Sequence, residues 1–76
     1  MSRLFCVVVS FNPNIEYFKK VLFGILENEV SVVVVDNGSE NISEIIEFLP
    51  TSVDLLSLGA NVGIAKAQNL GIKNAF

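Results

Sequence analysis

Histidine is absent from this sequence, cysteine occurs once, and the two aspartates, Asp36 and Asp54, stand too far apart in the chain for a D-x-D motif. These gaps remove several chemistries together. Without His and without D-x-D, a divalent-metal site cannot be assembled from these residues alone. The serines lack a His partner and Lys66 has no evident neighbour, so no nucleophile and base pair is present either. Cys6, inside the apolar run Leu4 to Val9, reads as a small hydrophobe rather than half of a disulfide. Basic residues number five against eight acidic ones, and only Lys19 and Lys20 adjoin. Nucleic acid therefore meets no basic stripe. The net charge of -3 reports mainly on solubility. Arg3 precedes an apolar run shorter than a signal-peptide core, and no run approaches the roughly 20 apolar residues that span a bilayer. A cytoplasmic location is expected, at the inner face of the membrane if the intact protein carries an anchor elsewhere.

What is present is apolar: 51% of the 76 residues are hydrophobic, six of them Phe. That content is far above the level at which chains stay disordered, so the segment needs a packed core. A chain this short buries only about 60% of its unfolded surface, which limits it to one domain or part of one.

Leu4 to Val9 is a continuous β-branched run followed by the turn formers Ser10-Phe11-Asn12-Pro13-Asn14, and it reads as a strand buried on both faces. Ile15, Phe18, Leu22, Ile25 and Leu26 then recur at helical spacing, with Asn14, or Asn12 followed by Pro13, as cap. Val30 to Val35 repeats the strand signature and closes on Asp36-Asn37-Gly38-Ser39. Ile42, Ile45, Ile46 and Leu49 predict a second helix, in which Asn41 and Glu44 resemble a capping box and Pro50 ends the segment. Val53 to Leu58 is a weaker third strand, interrupted by Asp54 and Ser57. Gly59-Ala60-Asn61-Val62-Gly63 leads into a third helix, Ile64 to Ala75, capped by Asn61 or a residue beside it. This order predicts an α/β fold: a β-α-β-α-β-α half of a doubly wound, Rossmann-like domain with a mainly parallel sheet. No repeat, low-complexity tract or linker interrupts it, and the sequence stops in a helix at Phe76 without a closing signal.

Ligands of open parallel sheets bind outside the carboxyl ends of the strands. Three loops meet there: Ser10 to Asn14, Asp36 to Asn41, and Gly59 to Gly63. Turn chemistry alone would enrich Asn, Gly and Ser in such loops. Their convergence on one edge is what favours a binding role. Asp36 can accept a hydrogen bond from a base N–H, or serve its own loop as an Asx-turn. Phe11 can cover a flat heterocycle, or fill core space. A dinucleotide-binding loop would need G-x-G-x-x-G after the first strand, yet Ser10 to Asn14 contains no glycine. The P-loop pattern is equally absent. A base or ribose contact suits these groups better than a phosphate cradle.

Three stretches carry a family likeness: Val7-Val8-Val9-Ser10-Phe11-Asn12-Pro13, Val33-Val34-Val35-Asp36-Asn37-Gly38-Ser39, and Leu58-Gly59-Ala60-Asn61-Val62-Gly63-Ile64-Ala65-Lys66-Ala67-Gln68-Asn69-Leu70-Gly71-Ile72. In order and spacing they resemble the opening motifs of family 2, inverting, GT-A-type glycosyltransferases, and the last two look most like the bacterial rhamnosyltransferase branch. The resemblance implies that residues 1–76 are the N-terminal part of a nucleotide-sugar-binding domain, truncated after its third helix. It places Ser10, Phe11, Asn12 and Asp36 at the base and ribose of a UDP- or dTDP-sugar, with Asn61, Gly63 and Lys66 along the nucleotide.

The family's D-x-D motif, which binds Mn2+ or Mg2+ and the diphosphate, and its catalytic base have no counterpart here. A divalent metal is thus expected for the intact enzyme, with no ligands in this chain, and no catalytic residue can be named. The implied reaction is sugar transfer, dTDP-rhamnose being the preferred donor, to a saccharide or lipid-linked acceptor in cell-surface polysaccharide synthesis. These 76 residues alone are expected to be inactive and to self-associate. A Rossmann-like oxidoreductase domain and a non-catalytic α/β interaction module are the competing readings.

Overall fold

The computed structural model describes residues 4–75, so the readings on Arg3 and Phe76 lie outside the described residues. Six elements alternate: β1 (Leu4–Ser10), α1 (Ile15–Leu26), β2 (Val30–Asp36), α2 (Ile42–Phe48), β3 (Asp54–Ser57) and α3 (Ile64–Ala75). This is the predicted β-α-β-α-β-α order. Both strand pairings are parallel and the strand order is β1-β2-β3, which puts β2 in the centre.

The unbroken valine run of β2 has its explanation in this position. Val32 and Val34 point into a cluster with Phe18 and Leu22 of α1 and Ile45 of α2, whereas Val33 and Val35 face Ala67 of α3. Both faces are covered by helices, so neither set of alternating side chains can be polar. Phe48 closes the first layer edge-on against Phe18, with ring centres 5.7 Å apart. On the second face Gly71 lets α3 sit close to the sheet, because a Cβ there would stand 2.5 Å from Cγ1 of Val7 and 2.7 Å from Cγ2 of Val35. After β3 the chain doubles back, and α3 packs over β2 and β1.

The expectation that β1 is buried on both faces is corrected. Leu4 is 60% exposed, and Cys6 to Val9 are half-buried. Among the described residues β1 has one strand neighbour, β2. Apolar content records a preference for burial but not whether a neighbour is there to provide it. Cys6 is a free thiol packed at the margin of the first cluster.

Asn14 is the cap of α1, its Oδ1 accepting from the Tyr17 N–H at 3.0 Å. The capping box of α2 is not formed. Asn41 makes no side-chain cap bond: its Nδ2 donates to the carbonyl of Pro13 at 3.0 Å, while Oδ1, the atom a cap would use, is buried without a hydrogen-bond partner among the described residues. A link between loops stands where the sequence suggested a local cap. β3 is shorter than the Val53 to Leu58 stretch, its ladder to β2 running only from Asp54 to Ser57. No helix among the described residues is long and apolar enough to cross a membrane.

Candidate functional site

The parallel register sets Ser10 beside Asp36 at the carboxyl ends of β1 and β2. Their side chains bond there: the Ser10 hydroxyl donates to Oδ1 of Asp36 at 2.8 Å. Ser39 supplies two further donors, its hydroxyl to the same oxygen at 2.5 Å and its backbone N–H to Oδ2 at 2.8 Å. The carboxylate is 1% exposed. A buried carboxylate is tolerable only when donors replace its water, and three of them do so here.

The first loop is tied to the second through Asn12. Its backbone has a φ of 44°, a left-handed conformation that few residues other than Gly and Asn adopt readily. The Asn12 N–H donates to the Ser39 hydroxyl at 2.7 Å, and Oδ1 of Asn12 accepts from the Glu40 N–H at 2.7 Å. The second loop is tied to the third through Asn37. Its Nδ2 donates to Oδ1 of Asn61 at 3.0 Å, its Oδ1 accepts from the Val62 N–H at 2.8 Å, and its own N–H donates to the carbonyl of Ser10 at 2.8 Å. Oδ1 of Asn61 also accepts from the Gly63 N–H at 2.9 Å, just ahead of α3.

These ties frame a groove of about 570 Å³ lined by Val9 and Phe11 together with Asn37, Asn61, Gly63, Ile64 and Gln68. Such a volume lies within the usual range for small-molecule sites. Phe11 is 49% exposed and projects between this groove and a second, more apolar one of about 330 Å³ formed with Val8, Pro13, Tyr17 and Val21. The core-filling alternative for Phe11 is thereby corrected: a ring half in water is not core. Its position just after a strand that is at the edge among the described residues leaves the ring only half covered.

Of the expected site residues, Phe11, Asn61 and Gly63 line the larger groove. Ser10, Asn12 and Asp36 sit behind it and bond to one another's loops, so the Asx-turn role of Asp36 is realised through Ser39. Lys66 is exposed on α3 and does not line the groove. Sequence reasoning missed Asn37, Ser39 and Gln68. Asn37 and Ser39 lay inside a loop already singled out, and Gln68 stands one helical turn after Ile64, on the same face.

The divalent metal implied by the family resemblance finds no fit in this chain. Among the described residues no group of three or more His, Cys, Asp or Glu could hold one. The carboxylate at the loop edge is already committed to three protein donors.

The arrangement can grip a flat, neutral ring and its polar substituents at the carboxyl edge of a parallel sheet. Among the described residues no acid or base is poised at the groove for chemistry. Comparison with known proteins gives the family. Among curated proteins the chain is 35% identical over 77 residues to dTDP-rhamnosyl transferase RfbF of Shigella flexneri, a match that covers 95% of this chain. The chain spans only 24% of that relative's length. No solved structure matches significantly. The family described as Glycosyl transferase family 2 matches residues 5–76, and the chain belongs to that family.

Proposed function

We propose that these residues form the N-terminal, nucleotide-binding part of a GT-A domain that transfers a sugar from a dTDP- or UDP-sugar with inversion. dTDP-rhamnose is the preferred donor, in keeping with the name of the Shigella relative, a dTDP-rhamnosyl transferase. The acceptor is a saccharide or lipid-linked hydroxyl in cell-surface polysaccharide synthesis, reached in the cytoplasm or at the inner face of the membrane. The observation that carries this reading is the groove beside Phe11, lined by amides and a half-exposed ring at the carboxyl edge of the sheet.

In this reading the base lies against Phe11, and Ser10, Asn12 and Asp36 hold the base and ribose end. Oδ2 of Asp36 accepts one protein hydrogen bond, and because Asp36 is 1% exposed a base N–H reaches that oxygen only once the loop edge opens. Asn61 and Gly63 run along the nucleotide, with Lys66 further out on α3. The metal and the base that activates the acceptor belong to other parts of the enzyme, so the 76 residues bind without transferring.

Titration of the chain with dTDP, UDP and NAD, followed by amide NMR shifts, tests the proposal. Millimolar binding of dTDP or UDP, about -4 kcal/mol, is expected, with shifts centred on Phe11, Asn61 and Gly63. Selective binding of NAD would favour the oxidoreductase reading instead. Silence toward all three would favour an interaction module.

A further inference from the structure

We infer that Ser39 is a positioning residue for the nucleotide site, holding the Phe11 ring at the mouth of the groove through Asn12. The inference rests on the proposed nucleotide-binding role but starts from the direction of two hydrogen bonds. A carboxylate can only accept, so the Ser39 hydroxyl proton points at Oδ1 of Asp36. Its lone pairs are then left facing the other way, where the Asn12 N–H donates at 2.7 Å. Asp36 thus fixes the polarity of Ser39, and Ser39 fixes the backbone of Asn12.

That backbone needs fixing. Asn12 holds a φ of 44°, a conformation that costs a non-glycine residue energy, and it is exposed, so no core packing imposes it. Its backbone N–H and its side-chain Oδ1 both reach across to the second loop, to the Ser39 hydroxyl and to the Glu40 N–H. Phe11, the next residue back, is half in solvent and makes the boundary between two grooves. With half its surface in solvent, the ring is not locked by a core, and its direction depends on the loop backbone that Asn12 ties down. A ring set before the ligand arrives saves the cost of ordering it on binding.

The test combines a nucleotide-free measurement with a double-mutant cycle. In the free protein the Phe11 Hα–Hβ couplings should be one large and one small, as for a single rotamer. In Ser39→Ala they should draw together toward an average. Asn12→Gly, an exposed substitution that leaves the Ser39–Asp36 bonds intact, should have the same effect more weakly. It serves if Ser39→Ala fails to fold. Couplings unchanged in the folded variants would overturn the inference, whatever dTDP does.

In dTDP titrations Ser39→Ala should weaken binding roughly ten-fold, the order expected when one side chain must be immobilised by the ligand. In a Phe11→Ala background the same substitution should cost less than about two-fold, because the ring it positions is gone. Equal losses in both backgrounds would show that Ser39 acts through something other than Phe11. Failure of the wild-type chain to bind dTDP would count against the proposed function, while the couplings would still decide the role of Ser39.

Discussion

The side-chain amide of Asn37 donates to Oδ1 of Asn61 at 3.0 Å and thereby joins the loop after β2 to the loop after β3. The same side chain accepts from the Val62 N–H at 2.8 Å, and Asn37 is 2% exposed. Asn37→Ala removes both bonds from a site that water does not reach. Stability should fall by about 1 to 3 kcal/mol, read as a lower urea midpoint with an unchanged slope. Hydrogen exchange at the Val62 amide should accelerate with it. Unchanged protection there would mean that the third loop is held by other contacts.

The same junction rests on a glycine. A Cβ on Gly38 would stand 2.7 Å from the carbonyl carbon of Ala60 and 2.8 Å from the N of Asn61, and φ is +88°. These are backbone atoms, with no flexible end to swing aside. Gly59 has a similar φ of +73° but open space around it. Gly59→Ala should cost about 1 kcal/mol for its φ alone, and Gly38→Ala about 2 to 4 kcal/mol once crowding is added. Denaturation curves that move equally for the two variants would contradict this close approach.

Asp36→Asn separates two roles of one carboxylate. Replacing an oxygen by an amide sets a donor against one of the three donors now served, and stability should drop by about 1 to 3 kcal/mol. If Oδ2 also receives a base N–H, dTDP or UDP affinity should fall by a further amount of about 1 to 3 kcal/mol in calorimetry on the folded variant. Lost stability with unchanged affinity would restrict Asp36 to holding the loops together.

The edge position of β1 bears on association. An apolar strand with one neighbour, bordered by the groove of Val8, Phe11, Tyr17 and Val21, favours pairing with a second copy. Light scattering should show a dimer that forms as concentration rises. Leu4→Lys, on a side chain 60% exposed, should weaken it without unfolding the chain. A monomer at every concentration would count against the edge argument.

Much of the fold was legible because local rules and burial agree. The valine run of β2 could only be a strand in a covered sheet, the Ile15 to Leu26 stripe only a helix packed on one side, and Asn14 capped that helix as its type and place suggested. The motifs that resemble family 2 were legible for a related reason: loops at one sheet edge concentrate the residues that tight turns and ligands both require. Asn41 marks where local reasoning ended, since its side chain is tied to the carbonyl of Pro13, 28 residues earlier, and forms no cap for its own helix.

The sequence by itself therefore determined the element order, the parallel sheet and the three loops that meet at its carboxyl edge. Tertiary structure decided what each loop residue does. A one-dimensional pattern can state that Ser10, Asn12, Asp36 and Phe11 belong together, but only the register of β1 on β2 sets the Ser10 hydroxyl against Asp36. Hydrogen-bond direction then commits Ser39 and Asn12 to the framework, and Phe11, just past a strand with one neighbour among the described residues, lines the groove half exposed. These outcomes depend on distances between segments some 25 residues or more apart, which pairing fixes and local propensity does not encode.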